Sequence, residues 1–578
     1  MYEIGEDVTQ SYSNAMVWYT KAAGQGNASA QNSIGVLYRD GKGVPRDFSD
    51  AREWFFRATD QGHAAVQFNL GMMYRQDNGR PKALEWFMKA AEQGYTVAHS
   101  LLARCTMFGD VVPRDLPKAV EWYLRASDKG YAISQFSLGL MYDNGDGVTQ
   151  DHYTAAEWYS KAANQGYADA QFNLGVLYQH GRGVPQNNSR AVEWYTKARN
   201  QRLSQAQHFL GLLYHVGDIV PQDKLKAMEW YLKAAEQGDC NAQFDLGAMC
   251  DDGDGVAQDY QKAAAWYSRA ADQGHATSQC SLGLLHQHGG GVPLDSTKAL
   301  EWYTKAADQG SGEALFCIGV IHYHGKDAPQ DDTKAMECYL KAANQGHIAA
   351  QTYAGEMYAN GRGVSRDYIK ATEWYLKSAE QGYASAQKSI GNMFYDGNGV
   401  PQDYQEAMEW YLKAADQGYG KAQYNIGRMY LDGEGVPQDY QRAMDWFLKA
   451  ADKGDADAQY FIGAMYRNGQ GVSKDYQKAM EWLLKSADQE HKSAQYTIAL
   501  MYQYEQGVSQ DYQKAMEWYM KSADQEDAHT QNIIGTVYRD GQGVPRDYQK
   551  AREWFLKAAE QGNVDAQRQL EEMTQRVR

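Results

Sequence analysis

Residues 406–418 read EAMEWYLKAADQG, and close copies of this stretch return along the whole chain. AMEWYLKAAEQG stands at 227–238, AMEWYMKSADQE at 515–526 and AREWFLKAAEQG at 551–562. In the quoted stretch the apolar residues follow the spacing i, i+3, i+4, i+7 and i+8, which places them on one side of a helix: Ala407, Trp410, Tyr411, Ala414 and Ala415. The stretch therefore predicts an amphipathic helix that the chain repeats, named helix B here.

The tryptophans give the period of the repeat. All 15 tryptophans of the chain lie in the helix B pattern, and they recur every 36 residues. One interval, from Trp54 to Trp86, is 32 residues long, and between Trp302 and Trp374 the middle register is held by Cys338. Self-similarity at a period of this length is the mark of a repeat protein, and the chain contains sixteen units.

A second amphipathic pattern, named helix A, alternates with helix B. It reads KAQYNIGRMYLDG at 421–433 and is followed by the loop GEGVPQD at 433–439, whose glycines and proline end the helix. Aspartates such as Asp403 and Asp439 precede helix B and can cap its free backbone N–H groups. Glycines such as Gly418 follow helix B and can adopt the left-handed conformation that ends a helix. Each unit is therefore a pair of helices.

Glycine recurs in the middle of helix A, where it costs about 1 kcal/mol relative to alanine. We expect the close approach of a neighbouring helix backbone to compensate for this cost. The glycine register contains Gly35, Gly71, Gly139, Gly175, Gly211, Gly247, Gly283, Gly319, Gly355, Gly391, Gly427, Gly463 and Gly535, with Ala103 and Ala499 as the substitutes in complete units.

The combined pattern A-x-x-Q-x-x-[LI]-G-x-x-Y-x-x-G-x-G-V-x-x-D-x-x-x-A-x-x-W-[YF]-x-K-A-A-x-Q-G resembles the Sel-1-like repeat, a relative of the tetratricopeptide repeat. The resemblance covers essentially the whole chain. It implies an all-α fold, a right-handed α/α superhelix of about sixteen stacked antiparallel helix pairs. We expect one solenoid over residues 1–578, with an incomplete first unit at 1–27 and a polar C-terminal capping helix at 563–578.

Composition excludes several classes of function. Hydrophobic residues make up 43% and charged residues 22% of the chain, which is typical of a folded protein. The net charge of −16 disfavours nucleic acid and anionic membranes, because both attract basic surfaces. No apolar segment is long enough to span a bilayer, and MYEIGEDVTQ does not resemble a signal peptide. We expect a cytoplasmic protein without direct membrane insertion.

Chemical motifs give no catalytic, cofactor-binding or metal-binding residues. The GxGV loops lack the third glycine of a dinucleotide site, and Ser385 and Lys388 form an S-x-x-K pattern without its companion motifs. Thiols and imidazoles cluster in the units at 250–338 and suggest zinc: Cys250, His286, His288, His322, His324 and Cys338. Equivalent residues of stacked repeats lie too far apart to meet at one ion, so replaced packing residues are the preferred reading.

A row of aromatic residues marks the candidate binding surface. In eight units helix A carries an aromatic residue about 180° from its core side: Phe68, Phe136, Phe172, Phe244, Phe316, Tyr424, Tyr460 and Tyr496. These rings either seal helix A against helix A of the next unit or form an aromatic stripe that binds a peptide or a partner helix. The sequence leaves both readings open.

The resemblance implies a function in protein–protein interaction. Sel-1-like proteins include an adaptor of endoplasmic-reticulum degradation, activators of chitin synthase, and bacterial host-interaction and signalling factors. We therefore expect a non-enzymatic scaffold that needs no cofactor and binds proteins or peptides through its concave face. The alternative is a regulatory subunit that activates a membrane or signalling enzyme.

Overall fold

The computed structural model describes residues 10–59, 61–76, 79–199, 203–218, 220–325, 329–523 and 527–576. All regular secondary structure in these ranges is α-helical, as the sequence predicts, and each of the fifteen repeats between residues 28 and 563 contributes the expected helix pair. None of the helices described is long and apolar enough to cross a membrane. The chain forms two compact units, residues 1–294 and residues 295–578, and each is described by itself below.

In the first unit, odd-numbered helices carry the helix B pattern and even-numbered helices the helix A pattern. Its helices are α1 (Tyr12–Ala23), α2 (Ala28–Asp40), α3 (Phe48–Thr59), α4 (Ala64–Gln76), α5 (Arg80–Glu92), α6 (Thr96–Phe108), α7 (Leu116–Ser127), α8 (Ala132–Asn144), α9 (His152–Asn164), α10 (Ala168–His180), α11 (Asn188–Arg199), α12 (Ser204–Val216), α13 (Lys224–Glu236), α14 (Cys240–Asp252), α15 (Tyr260–Asp272) and α16 (Ala276–His288).

The second unit continues the same alternation. Its helices are α17 (Ser296–Asp308), α18 (Gly312–His324), α19 (Asp332–Asn344), α20 (Ile348–Asn360), α21 (Tyr368–Glu380), α22 (Ala384–Asp396), α23 (Tyr404–Asp416), α24 (Gly420–Asp432), α25 (Tyr440–Asp452), α26 (Ala456–Asn468), α27 (Tyr476–Ala487), α28 (Lys492–Gln503), α29 (Tyr512–Ala523), α30 (Ala528–Asp540), α31 (Tyr548–Glu560) and α32 (Val564–Arg576). Within each unit every helix packs against the next one along the chain.

The helix ends are fixed by the residues that the sequence pointed to. The Asp403 carboxylate accepts hydrogen bonds from the backbone N–H groups of Gln405 and Glu406, at 2.9 and 3.1 Å. The same helix, α23, is followed by Gln417 and then by Gly418, whose φ of +77° is the left-handed conformation that glycine adopts without strain. The capping predicted from Asp and Gly positions is therefore confirmed.

The glycine in helix A makes room mainly for a side chain of helix B, and in some repeats the expected backbone approach is present as well, since a Cβ atom on Gly71 would also lie 3.2 Å from a backbone oxygen of helix B. A Cβ atom on Gly139 would lie 2.4 Å from the Tyr159 ring, and one on Gly175 would lie 2.7 Å from the Tyr195 ring. In each case the ring belongs to helix B of the same repeat and is fully buried. The cost of the glycine is offset by the burial of a large aromatic side chain.

The tryptophans join each hairpin to the one before it. Trp158 of α9, for example, packs against the cluster of Ala119, Tyr123, Leu138 and Met141 in the preceding helices. The ammonium group of Lys161 lies 3.8 Å from the centre of the Trp158 ring, a cation–π contact. Each hairpin thus buries an aromatic surface that it could not bury alone, which is how repeat proteins gain stability.

A buried glutamine in helix A ties three successive helices together. The Gln135 amide donates to the Ser127 carbonyl oxygen of α7 at 3.3 Å, and its own oxygen accepts from Gln165 at the end of α9 at 2.6 Å. The same pair recurs along both units, twenty-six residues apart in the short repeat and thirty residues apart elsewhere: Gln67 with Gln93, Gln207 with Gln237, Gln243 with Gln273, Gln351 with Gln381, Gln387 with Gln417, Gln459 with Gln489 and Gln531 with Gln561. We call this contact the glutamine pair.

Two predicted irregularities can be located. In the 32-residue repeat α4 ends at Gln76 and α5 begins at Arg80, so the two helices are joined with almost no loop; residues 77–78 lie outside the described ranges. The last helix, α32, packs through Leu570 and Met573 on the cluster of α31. The beginning of the incomplete first unit at 1–27, up to residue 9, also lies outside the described ranges, and the single solenoid remains a prediction.

Candidate protein-interaction face

The eight predicted aromatic residues lie four in each unit, and all of them are half-buried. Phe68, Phe136, Phe172 and Phe244 belong to α4, α8, α10 and α14 of the first unit. Phe316, Tyr424, Tyr460 and Tyr496 belong to α18, α24, α26 and α28 of the second unit. We call the surface of the helices A that carries this register the ring face of each unit.

Each of these rings has two kinds of neighbour. Phe136 lies 5.9 Å from the ring of Tyr159, the buried residue that passes Gly139, and 5.1 Å from the ring of Tyr167 at the start of the next helix A. In the second unit Phe316 lies 5.8 Å from Tyr339 and 4.7 Å from His347. The rings therefore contribute to the packing of successive helices A while part of each ring remains exposed.

In the first unit a recess opens between three helices of the A pattern, α4, α6 and α8. Its volume is about 290 Å³ and its lining is mostly apolar: Phe68, Met72, Val97, Ser100, Leu101, Arg104, Tyr123, Tyr131, Ile133 and Ser137. Ile133 is 44% exposed at this site, and the Arg104 side chain is exposed as well. An apolar recess bordered by an exposed cation can take an apolar side chain that has an acidic neighbour.

The recess on the second unit is polar. Its volume is about 200 Å³, and it is lined by Asn392, Tyr395, Asp396, Tyr411, Tyr424, Asn425 and Arg428. The Tyr411 hydroxyl donates to the Asn392 side-chain oxygen at 2.7 Å, and the Asn425 amide donates to the same oxygen at 3.1 Å. Nearby, Arg428 forms an ion pair with Asp432 at 2.6 Å. The two ring faces thus differ in chemistry although their backbones repeat.

Burial shapes the ionisation of the groups on the second unit. Lys388 occupies the ring register in α22, and its burial lowers the pKa of the ammonium group, with a further lowering from the charge of Lys421. Burial raises the pKa of the Tyr411 hydroxyl, so it stays protonated and acts as a donor. The recess therefore offers hydrogen-bonding groups from a partly desolvated surface.

The residues that suggested zinc do not converge. Cys250 is buried in α14, and burial raises the pKa of its thiol. His286 in α16 lies within 3.3 Å of the Pro293 carbonyl oxygen through its Nδ1 atom. Across the part of the chain that the structure describes, no group of three or more His, Cys, Asp or Glu side chains is arranged to hold a metal ion.

Sequence reasoning missed the hydroxyl contacts behind the ring face. In several repeats the hydroxyl group of the buried helix B tyrosine contacts a polar side chain of helix A that lies sixteen residues earlier in the sequence. The Tyr195 hydroxyl, for example, donates to the side-chain oxygen of Gln179 at 2.7 Å. The sequence indicates this contact, because a polar residue stands sixteen positions before many of the helix B tyrosines. It could have been found by comparing the repeats position by position.

Taken together, stacked helix pairs with half-exposed rings and recesses on one set of helices define an α-helical repeat protein. A model of the Sel1 repeat family matches sixteen segments that together span residues 1–563, with residue 203 excepted. The chain belongs to the Sel1 repeat family.

One solved structure supports this assignment, and a second is similar in sequence. The crystal structure of c5321, a protective antigen present in uropathogenic Escherichia coli strains that displays an SLR fold, is 33% identical and covers 85% of this chain and 97% of its own, with a TM-score of 0.61. A Sel1 repeat protein from Oxalobacter formigenes is 37% identical and covers 54% of this chain and 90% of its own, with a TM-score of 0.44. A comparison with curated proteins gave no match.

Proposed function

We propose that this protein is a non-enzymatic scaffold that binds partner proteins or peptides through the ring faces of its two units. Repeat proteins of this class are typically used for protein–protein interaction. The observation that carries the proposal is the row of half-exposed aromatic residues beside recesses of about 290 and 200 Å³. Aromatic anchors next to small recesses are the usual centres of protein interfaces.

The two recesses suggest what each unit recognises. The apolar recess of the first unit fits an apolar side chain, and the polar recess of the second unit fits a side chain that forms hydrogen bonds. Because the chain carries a net charge of −16, nucleic acid is not the partner that we propose. A cytoplasmic location is part of the same proposal.

The test begins with affinity capture of the full chain and reconstitution with the purified partner. Ile133→Glu places a charge in the apolar recess, and we expect the Kd for the partner to rise at least tenfold. The matched control is Leu225→Glu on α13, because Leu225 is also an exposed aliphatic residue, at 66% exposure, but lies on a helix B. Equal Kd values for the two variants would contradict the proposed surface.

The rings themselves are tested by replacing Phe136, Phe172 and Phe244 with leucine, which retains much of the apolar volume. We expect weaker partner binding by variants whose melting temperature falls by only a few degrees. If the melting temperature falls sharply while the Kd stays unchanged, the rings serve only the packing between helices.

A further inference from the structure

Two repeats of the first unit, those of Thr106 and Cys250, lack a ring that most of the other repeats carry, and the first of them leaves a cavity. Position 106 in α6 is threonine, whereas the same register of helix A is tyrosine in ten other repeats: Tyr38, Tyr74, Tyr142, Tyr178, Tyr214, Tyr358, Tyr430, Tyr466, Tyr502 and Tyr538. Thr106 is buried, and its hydroxyl donates to the Leu102 carbonyl oxygen at 2.7 Å. The exchange therefore removes an aromatic side chain from a packed position.

The backbone around Thr106 keeps the geometry of its sibling repeats. The Asp115 N–H donates to the Thr106 carbonyl oxygen at 2.9 Å. The equivalent bond, from Asp151 to Tyr142, also measures 2.9 Å, and the one from Asp439 to Tyr430 measures 2.8 Å. Since the chain has not closed around the smaller side chain, the space of a ring stays open.

That space is a cavity of about 340 Å³. Its lining is Leu84, Met88, Leu102, Thr106, Val112, Pro113, Arg114, Asp115, Lys118 and Trp122. Arg114 and Lys118 are exposed, and Met88 is 39% exposed, so the cavity reaches the surface. None of these residues lines the recess of the ring face described above, and the cavity is a separate site.

The sibling repeats show which chemical group suits this space. In seven of the sibling repeats a lysine or arginine of helix B, twelve residues after the tyrosine, lies over the ring, with Lys226 at 4.2 Å from the Tyr214 centre and Arg190 at 5.5 Å from the Tyr178 centre. The Arg190 guanidinium also donates to the Tyr178 hydroxyl at 3.1 Å. Lys118 holds the corresponding position after Thr106, where the tyrosine ring of the sibling repeats is missing.

We propose that this cavity binds a tyrosine side chain of a partner protein, which supplies the ring that the other repeats contain themselves. The leucine, methionine and tryptophan side chains bury the ring, and the Lys118 ammonium group lies over its face as a cation–π partner. The inference rests on the proposed function only in that a protein partner supplies the ring.

The experiment uses the full chain and a blocked pentapeptide, acetyl-Gly-Ser-Tyr-Ser-Gly-amide with fluorotyrosine, followed by ¹⁹F NMR. We expect saturable binding to the wild-type protein and weaker binding of the leucine version of the peptide. Thr106→Tyr fills the cavity with the residue of the sibling repeats, so it should raise the melting temperature and weaken peptide binding at least tenfold. Thr106→Ser, the matched control, should leave binding within twofold of wild type.

Two further variants keep the test independent of the folding of a single variant. Lys118→Met should weaken peptide binding severalfold while it leaves the cavity open, and Tyr214→Thr should create a second binding site beneath Lys226. No binding to the wild-type protein, or equal binding to wild type and Thr106→Tyr, would overturn the inference. Ile133→Glu should bind this peptide normally, so failure here is distinguishable from failure of the ring face.

Discussion

The hydroxyl group of the buried helix B tyrosine needs a partner, and the repeats satisfy this need differently. Tyr159 donates to Asp143 at 3.3 Å, and Tyr519 donates to Gln503 at 2.6 Å. Tyr339 is fully buried, and its hydroxyl has no hydrogen-bond partner among the described residues. The residue sixteen positions earlier is Tyr323, whose own hydroxyl donates to Glu356 at 3.2 Å.

Removing the Tyr339 hydroxyl should therefore not destabilise the protein. A buried polar group without a partner costs about 1–3 kcal/mol, so we expect Tyr339→Phe to leave the free energy of unfolding unchanged or to raise it by about 1 kcal/mol. Tyr195→Phe is the matched control, and its loss of the bond to Gln179 should lower the free energy of unfolding by about 1 kcal/mol. Chemical denaturation measures both, and a clear loss for Tyr339→Phe would disprove this account.

Single residues also show what the sequence could and could not reveal. The periodic positions of Ala407 and Tyr411 predicted the buried side of α23 correctly, because burial follows the helical period. The reason for Gly139 could not be derived, since one helix pattern does not say whether a backbone or a ring fills the space beside it. The role of the aromatic row as a binding surface remains a prediction, because half-burial fits packing and recognition equally.

At the scale of the helix pair, the hairpin of α24 and α25 has the helix A glutamine but not the glutamine pair. Gln423 of α24 donates to the Ala415 carbonyl oxygen at 3.2 Å, but its buried side-chain oxygen has no partner among the residues described. The residue thirty positions later is Lys453, where the other pairs have glutamine. The deviation became meaningful only once the structure showed that the two glutamines touch.

Restoring the pair should stabilise the second unit. We expect Lys453→Gln to raise the free energy of unfolding by about 1 kcal/mol, because the new amide donates to the unpaired oxygen of Gln423. Gln417→Lys, which breaks the intact pair with Gln387, should lower it by a similar amount. Thermal unfolding of the three proteins decides the matter, and a lower melting temperature for Lys453→Gln would refute the prediction.

At the scale of the whole chain, acidic groups outnumber basic ones, and some of them join neighbouring hairpins. Arg362 binds the Asp332 carboxylate at 2.6 Å, linking the loop after α20 to the start of α19, and this contact lowers the pKa of Asp332 below its ordinary value of 3.8. A carboxylate whose pKa is lower in the folded state than in the unfolded chain stabilises the fold at pH values above its pKa in the unfolded chain. That contribution is lost as the pH falls through the folded pKa.

We therefore expect the free energy of unfolding to decrease as the pH falls below about 4. Asp332→Asn should remove its part of this dependence and cost at most about 1 kcal/mol at pH 7, because the ion pair lies near the surface. Asp416→Asn, at an exposed position on α23, is the control. Parallel pH profiles for wild type and Asp332→Asn would show that this ion pair contributes nothing.

The glutamine pair spans thirty residues in every full-length repeat that has it, and in these repeats the buried side chain of helix B follows the small residue of helix A that it faces at a distance just as constant. If one complete 36-residue segment were lost or gained, each residue of these pairs would still meet an equivalent residue at the same distance along the chain. Chain length can therefore evolve in whole steps, and the number of side-chain recesses along the molecule changes with it. A single exchange such as tyrosine to threonine then gives one copy a specificity that its neighbours lack.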